Sequence, residues 1–219
     1  MMREITALKI QKRNKRRVNI YLDGEYAFSL SLLEAVHLKR GQRISDEEVA
    51  ALREGDAFQK AYDRALKYLS YRPRSRAEIE RYLQEKHIPP PLLEEVLARL
   101  EGAGLVDDLA FARFWVENRK DFNPRGLSFL RYELRRKGIS EDVISQALEE
   151  VDEEQSAYAL ARKRALRMTK LDQEKFYRKL GDFLTRRGFP YETVSAVVQK
   201  VWQEIATEQW DADEHRINQ

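Results

Sequence analysis

The chain repeats itself three times, and this constrains its fold more than any other feature of the sequence. Superimposing Lys86-His87-Ile88 on Lys137-Gly138-Ile139 and on Arg187-Gly188-Phe189 sets the copies 51 and 50 residues apart. Apolar positions ahead of this anchor match, at Ile79/Leu130/Leu180 and Leu83/Leu134/Leu184. Those behind it match too, at Leu93/Ile144/Val194, Leu97/Leu148/Val198 and Leu100/Val151/Val201. Each series advances by three, four or five residues, as one face of a helix does. A period of this length marks units that bury their apolar faces by stacking on their neighbours.

Each copy reads as three helices. The first predicts Phe58–Ser70, Ser75–Lys86 and Pro90–Glu101; the second Asp107–Lys120, Pro124–Lys137 and Glu141–Val151; the third Gln155–Met168, Gln173–Arg187 and Tyr191–Ala206. Ser75-Arg76-Ala77-Glu78 is a capping box, and Pro73 and Pro124 suit a helix start. Gly138 and Gly188 follow the last basic residue of the second helix, where a left-handed residue ends a helix. The first copy has His87 there, one of the few non-glycine types that tolerate positive φ.

The head of the chain follows another rule. Val18, Ile20 and Leu22 alternate with polar residues, Asp23-Gly24 is a favoured hairpin turn, and Tyr26 and Phe28 continue the period of two. Leu8-Lys9-Ile10-Gln11 is a further alternating run, so a three-stranded antiparallel meander is expected. Leu30–His37 reads as a short helix, and Ser45-Asp46-Glu47-Glu48 as a capping box opening another. The expected fold is mainly α: three tandem three-helix repeats forming an elongated curved array, preceded by a small N-terminal antiparallel β-meander with short helices. The expected boundaries are 1–57 for the head, 58–106, 107–154 and 155–206 for the repeats, and 207–219 for a tail holding Trp210. Such arrays present extended surfaces rather than one pocket, which points to binding.

Several chemistries are missing from the sequence. With no cysteine, disulfides and thiolate metal sites are excluded. His37, His87 and His215 lack metal-site spacing, and neither a glycine-rich phosphate loop nor a Gly-x-Ser-x-Gly elbow is present. Asp107-Asp108 reads as a helix start and Glu149-Glu150 as a solvated face, not as catalytic dyads. No catalytic residue, cofactor or metal is expected. Nothing resembles a signal peptide or a membrane span, so a cytoplasmic protein is expected.

Charge is abundant but balanced, 40 Lys and Arg against 37 Asp and Glu, so its distribution says more than its sum. Residues 1–17 hold seven basic residues against one acid, with Lys9–Arg17 the densest group. Three further groups stand out: Arg72/Arg74/Arg76; Arg131/Arg135/Arg136/Lys137; and Arg162/Lys163/Arg164/Arg167. Arg74 and Arg125 are repeat-equivalent, and Lys175 takes the same place in the third copy. Arg131 and Arg135, four apart, share a helix face. Arginine forks engage phosphates or carboxylates bidentately, so a basic stripe meeting a nucleoprotein is the functional expectation. Taken singly, each of these charges is more simply a solvated one, several within reach of Glu78, Glu80 or Glu133. Phe111, Phe114, Trp115, Tyr68, Phe129, Phe183 and Trp202 fall on apolar helical spacings and are expected in the core. Tyr71 and Phe122, beside arginines, are the aromatics expected at the surface.

Three segments resemble the RecX family, whose members modulate the RecA recombinase. They are Gly104-Leu105-Val106-Asp107-Asp108-Leu109-Ala110-Phe111-Ala112 with Arg119 following, Leu134-Arg135-Arg136-Lys137-Gly138-Ile139, and Tyr71-Arg72-Pro73-Arg74-Ser75-Arg76-Ala77-Glu78. The likeness covers residue 58 to about 206. It implies binding to the RecA filament on single-stranded DNA, binding to single- and double-stranded DNA itself, and suppression of ATPase, strand exchange and coprotease activities; a monomer is expected. It implies no catalytic residues and no membrane. The strand-rich head stands as an extension to the resemblance, and Leu105, Val106, Phe111 and Ile139 read as core. Against the filament modulator stand two alternatives: a lone DNA-binding or transcription-regulatory protein using three-helix units, which would bind duplex with a steep salt dependence, and a scaffold for another protein.

Overall fold

The computed structural model describes residues 1–169 and 171–217, with the backbone alone for 206–217. Four strands, β1 (Met2–Ile10), β2 (Arg17–Leu22), β3 (Glu25–Ser31) and β4 (Arg43–Ser45), form one antiparallel sheet in the order β3-β2-β1-β4. The expected meander is therefore joined by a fourth strand. Arg43–Ser45 is too short to show alternation, and it pairs with the start of β1, Met2↔Ser45 to Glu4↔Arg43. At the β2–β3 turn Asp23 and Gly24 both have positive φ, +51° and +92°, the two-residue hairpin geometry that matches strand twist. One sheet face carries Ile5, Val18, Ile20, Leu22, Phe28, Leu30 and Ile44, which close a core with Ala35 and Val49.

Ten helices follow among the described residues: α1 (Leu32–Ala35), α2 (Asp46–Leu69), α3 (Arg76–Glu85), α4 (Pro90–Gly102), α5 (Asp108–Phe122), α6 (Leu127–Arg136), α7 (Glu141–Leu148), α8 (Glu153–Ala165), α9 (Gln173–Thr185) and α10 (Tyr191–Ile217). The chain divides into two compact units, residues 1–73 with 79–105, and 74–78 with 106–219.

In the first unit the helix that Ser45 caps does not stop. The capping box is made, Glu48 N–H to Ser45 Oγ and Ser45 N–H to the Glu48 carboxylate. The helix then runs unbroken to Leu69, merging two helices that the sequence pattern separates. Gly55 lies mid-helix at a cost of about 1 kcal/mol relative to alanine. The next residue compensates: Asp56 is buried and takes both guanidinium nitrogens of Arg17, at 2.8 and 3.0 Å, and Lys60 Nζ at 2.6 Å. Arg17, counted in the basic head, therefore ties sheet to helix. Ala61 and Ala65 of α2, Ile79 and Leu83 of α3, and Leu93, Val96, Leu97 and Leu100 of α4 are buried, and Tyr68 stacks on Tyr82 with ring centroids 4.1 Å apart.

The second unit holds two three-helix cores. Phe111, Ala112, Val116, Leu130, Leu134, Ile139, Ile144 and Leu148 fill one; Ala157, Ala161, Phe176, Leu180, Leu184, Phe189, Val194, Val198 and Val201 belong to the other. All three second helices end alike. His87, Gly138 and Gly188 have φ of +56°, +80° and +85°, and the next residue's N–H reaches back to Leu83, Leu134 or Leu184, a Schellman closure. Asp107 caps α5 through the N–H groups of Leu109 and Ala110.

The pattern misplaces some positions. Pro124 precedes α6 instead of opening it, because Gly126 is the N-cap and its N–H turns to the Arg187 carbonyl. Leu105 and Phe114, expected in the core, are 48% and 45% exposed: the first lies in the α4–α5 link, the second on the outer side of α5. Phe129 and Phe183 are half-buried, whereas Tyr71 and Phe122 are exposed as expected. The stretch read as a tail continues α10 to Ile217; the Trp210 side chain and residues 218–219 lie outside the described residues.

Candidate functional site

The candidate cations separate by what each one touches. Where the start of α3 meets the end of α6, charges are matched. Ser75 Oγ donates to the Lys137 carbonyl at 2.6 Å while accepting the Glu78 N–H, and the Arg76 N–H donates to Asp108 at 2.8 Å. Lys137 Nζ lies 2.7 Å from the Glu78 carboxylate and 4.8 Å from the Trp115 ring centroid. Trp115 Nε1–H and Arg119 Nε both donate to Glu133, at 2.8 and 2.7 Å, with the Arg119 guanidinium over the Trp115 ring. Charge-assisted bonds of this length, partly shielded from water, hold helix ends in place. Arg119 and Glu133 act here as a pair that sequence spacing, fourteen residues apart across a turn, could not reveal.

Along α6, Arg131 and Arg135 do share a face, and both turn to Glu141, Arg135 at 2.8 Å. Arg136 is exposed, its guanidinium 5.8 Å from the Tyr132 centroid. On α8, Arg162 meets Glu204 at 3.2 Å beside the Tyr158 hydroxyl, while Lys163 and Arg164, and Arg167 just past the helix end, are exposed. Arg72, whose guanidinium donates to the Pro73 carbonyl at 2.8 Å, belongs to the first unit; Arg74 and Arg76 belong to the second.

Where the start of α6 meets the end of α9, the chemistry changes. The Gly126 N–H donates to the Arg187 carbonyl and Ser128 Oγ to the Gly188 carbonyl, at 2.9 and 2.8 Å. The Arg125 guanidinium lies 4.5 Å from the Phe129 centroid; those of Arg187 and Arg164 lie 4.8 and 5.3 Å from the Phe183 centroid. Arg187 Nη1 donates to Asn123 Oδ1 at 2.5 Å. Burial, and then the charges of Arg125 and Arg164, hold the Arg187 pKa below the usual arginine value. Arg187 escaped the sequence reading, although repeat alignment with Lys137 carries the signal.

Among the described residues no group of three or more His, Asp or Glu side chains could hold a metal ion, and no helix is long and apolar enough to cross a membrane. A groove of about 610 Å³ beside α5 and α7 is lined by Arg113, Phe114, Glu117, Arg125, Glu150 and Ser156 among others. Ser156 Oγ there donates to the Asp152 carbonyl at 2.8 Å, a bond of the α8 start.

A strand-built head followed by three-helix units defines a repeat-built, mainly helical protein. The chain belongs to the RecX family of regulatory proteins. Four family models match in order: the regulatory protein RecX N-terminal domain over residues 3–45, and the RecX first, second and third three-helix domains over 61–100, 107–148 and 152–198. The head is thus a family domain, not an extension to it. Proteins named Regulatory protein RecX from Bacillus pumilus and Bacillus subtilis are each 35% identical, over 90% of this chain and 77% and 76% of theirs. A crystal structure of regulatory protein RecX superimposes with a TM-score of 0.69 at 32% identity, covering 89% of this chain and 98% of that one. The structure of RecX from Lactobacillus salivarius gives 0.61 at 26%, covering 67% and 97%.

Proposed function

We propose that this protein binds the RecA filament on single-stranded DNA and suppresses its ATPase, strand-exchange and coprotease activities, acting by binding and not by catalysis. The observation that carries the reading is the ordered match of all four RecX domains from residue 3 to residue 198. The working form is a cytoplasmic monomer. The contact set is drawn from Arg72, Arg74, Arg76, Arg125, Arg131, Arg135, Arg136, Lys137, Arg162, Lys163, Arg164 and Arg167. Of these, the exposed Arg136, Lys163, Arg164 and Arg167 reach solvent most freely.

The test is the single-stranded-DNA-dependent ATPase of the cognate RecA, titrated with this protein. Inhibition is expected. Saturation far below one protein per RecA protomer would indicate capping of filament ends, and saturation near stoichiometry would indicate binding along the filament. An unchanged ATPase, with no co-sedimentation on filaments, would overturn the reading in favour of a lone DNA-binding protein.

A further inference from the structure

The two places where one second helix meets the next use equivalent positions and opposite chemistry. Repeat alignment puts Phe129 where the first copy has Glu78, and Phe183 where the second has Glu133. Arg187 stands where Lys137 does. Counted from the N-caps Asp107 and Asp152, Arg164 occupies the place of Arg119. At the first meeting both cations sit on carboxylates, Lys137 on Glu78 and Arg119 on Glu133. At the second the cations remain and both carboxylates have become phenyl rings.

Rings do not neutralise charge. A guanidinium over a ring gains about 0.5–1 kcal/mol at an exposed site, and its N–H edge stays open to an acceptor. Arg125, stacked on Phe129, joins this group: the Phe129 Cβ is 2.8 Å from where a Gly188 Cβ would stand, next to Arg187. The Arg125 Nε is buried with no hydrogen-bond partner. Among the described residues, none of Arg125, Arg164 and Arg187 forms an ion pair with a carboxylate. Three cations are therefore held close together against their mutual repulsion; burial first, and then the charges of Arg125 and Arg164, lower the Arg187 pKa. Burial without a counter-charge destabilises a fold unless an external anion supplies it.

We propose that Arg125, Arg164 and Arg187, held over Phe129 and Phe183, form a binding site for the phosphodiester backbone of a nucleic-acid strand. A strand offers evenly spaced, permanently ionised groups whose oxygens match guanidinium forks. Half-buried under the guanidinium groups, the two rings hold the arginines in position and are not platforms for bases. The site deepens the filament reading by placing the strand contact in the second unit, but it stands on its own geometry.

The test measures binding of a fluorescein-labelled oligo-dT to the full chain by anisotropy across a salt series. The variants are R164Q, whose exposed side chain bears no fold contact beyond its ring, and the triple R125Q/R164Q/R187Q. Loss of three phosphate contacts is expected to weaken binding roughly 100-fold at about 0.1 M salt and make the log–log salt slope shallower by about 2, with R164Q near a third of that slope change. Unfolding midpoints should stay near that of the parent, since the repulsion removed offsets the ring contacts and the Arg187–Asn123 hydrogen bond lost.

Unchanged affinity and slope in the triple variant would overturn the site, as would failure of the parent to bind oligo-dT. Loss of polyglutamate binding alone would assign the cluster to an acidic protein instead. Should the parent leave the RecA ATPase untouched while the variants lose oligo-dT, the filament reading falls and the site stands. Inhibition by the parent with oligo-dT binding intact in the variants is the reverse outcome.

Discussion

Gly138 closes α6 and lies against the start of α3, and Gly138→Ala challenges both roles. At φ +80° an alanine crowds its own carbonyl, at a cost of about 1–2 kcal/mol. Its Cβ would stand 2.3 Å from the Ala77 Cβ, well inside the roughly 3.5–4.0 Å at which carbons pack. Helix starts held by Ser75 and Glu78 cannot slide freely, so overpacking adds about 1–3 kcal/mol. The sum is about 2–5 kcal/mol. Trp115 and Trp202 both lie in the second unit, so tryptophan fluorescence in urea follows it directly. With a urea dependence of about 1–3 kcal/mol per molar, the midpoint should fall by at least about 0.7 M.

A cycle separates the two contributions. Ala77→Gly alone costs about 1 kcal/mol in helix propensity, but in the Gly138→Ala background it should restore the contact part and leave only the backbone part. Gly126→Ala isolates contact from the other side. Its φ of −67° suits alanine, and entropy alone would stabilise by about 0.4–1 kcal/mol. Yet the new Cβ would lie 2.0 Å from the Gly188 carbonyl oxygen, so destabilisation is expected. A Gly138→Ala midpoint within about 0.3 M of the parent, or a cycle with no coupling, would refute the account of how these helices meet.

Other perturbations have definite signs. His87→Gly removes a side chain from φ +56° and should stabilise the first unit by about 1 kcal/mol, read by circular dichroism in urea; a loss would mean that the imidazole holds the cap. Asp56→Ala strands Arg17 and Lys60 and should cost about 3 kcal/mol or more. Burial opposes the Asp56 charge, but hydrogen bonds from Arg17 and Lys60 and their positive charges outweigh it and lower its pKa below 3.8. A lowered carboxylate pKa adds stability that is full above the unfolded value and is lost as pH falls through the folded one. Acid melts of Asp56→Asn should therefore lose less than the parent as pH falls below about 4; parallel curves would remove Asp56 from the acid transition. Reversing Arg131 and Arg135 to Glu sets two acids against Glu141 and should weaken filament co-sedimentation several-fold at a folding cost of about 1 kcal/mol, as for exposed pairs; full retention would take both out of the contact set.

Helix periodicity made the repeats and their cores legible, because burial forces apolar residues onto one face whatever the partner. The left-handed caps were legible for the same kind of reason: only glycine, or a tolerant residue such as His87, fits the angle. What escaped depends on which charge meets which. Arg17 reads as one of seven basic residues in the first seventeen, and only the fold shows it spent on Asp56. β4 escaped because a strand of three residues has no period. Gly55 and the merged α2 escaped because a local penalty of about 1 kcal/mol is offset by contacts distant in sequence, such as those Arg17 makes to Asp56.

The repeat alignment holds more than the fold. Read only for apolar positions, it gives helices. Read for the polar positions that differ, it singles out Glu78 against Phe129 and Glu133 against Phe183, with the cations beside them retained. Retaining a cation needs no explanation where its carboxylate is retained too. Where the carboxylate is lost, each arginine at 125, 164 and 187 repels the others and adds no ion pair, keeping only its ring contact and, for Arg187, the hydrogen bond to Asn123. The ring contacts and the Arg187–Asn123 hydrogen bond return only part of that repulsion, and a residual opposition to local stability is expected where a surface meets something charged. The same comparison makes Lys137 a poorer contact candidate than its place in a basic run implies, since Glu78 already neutralises it, and makes Arg187, outside every basic run singled out at first, a better one.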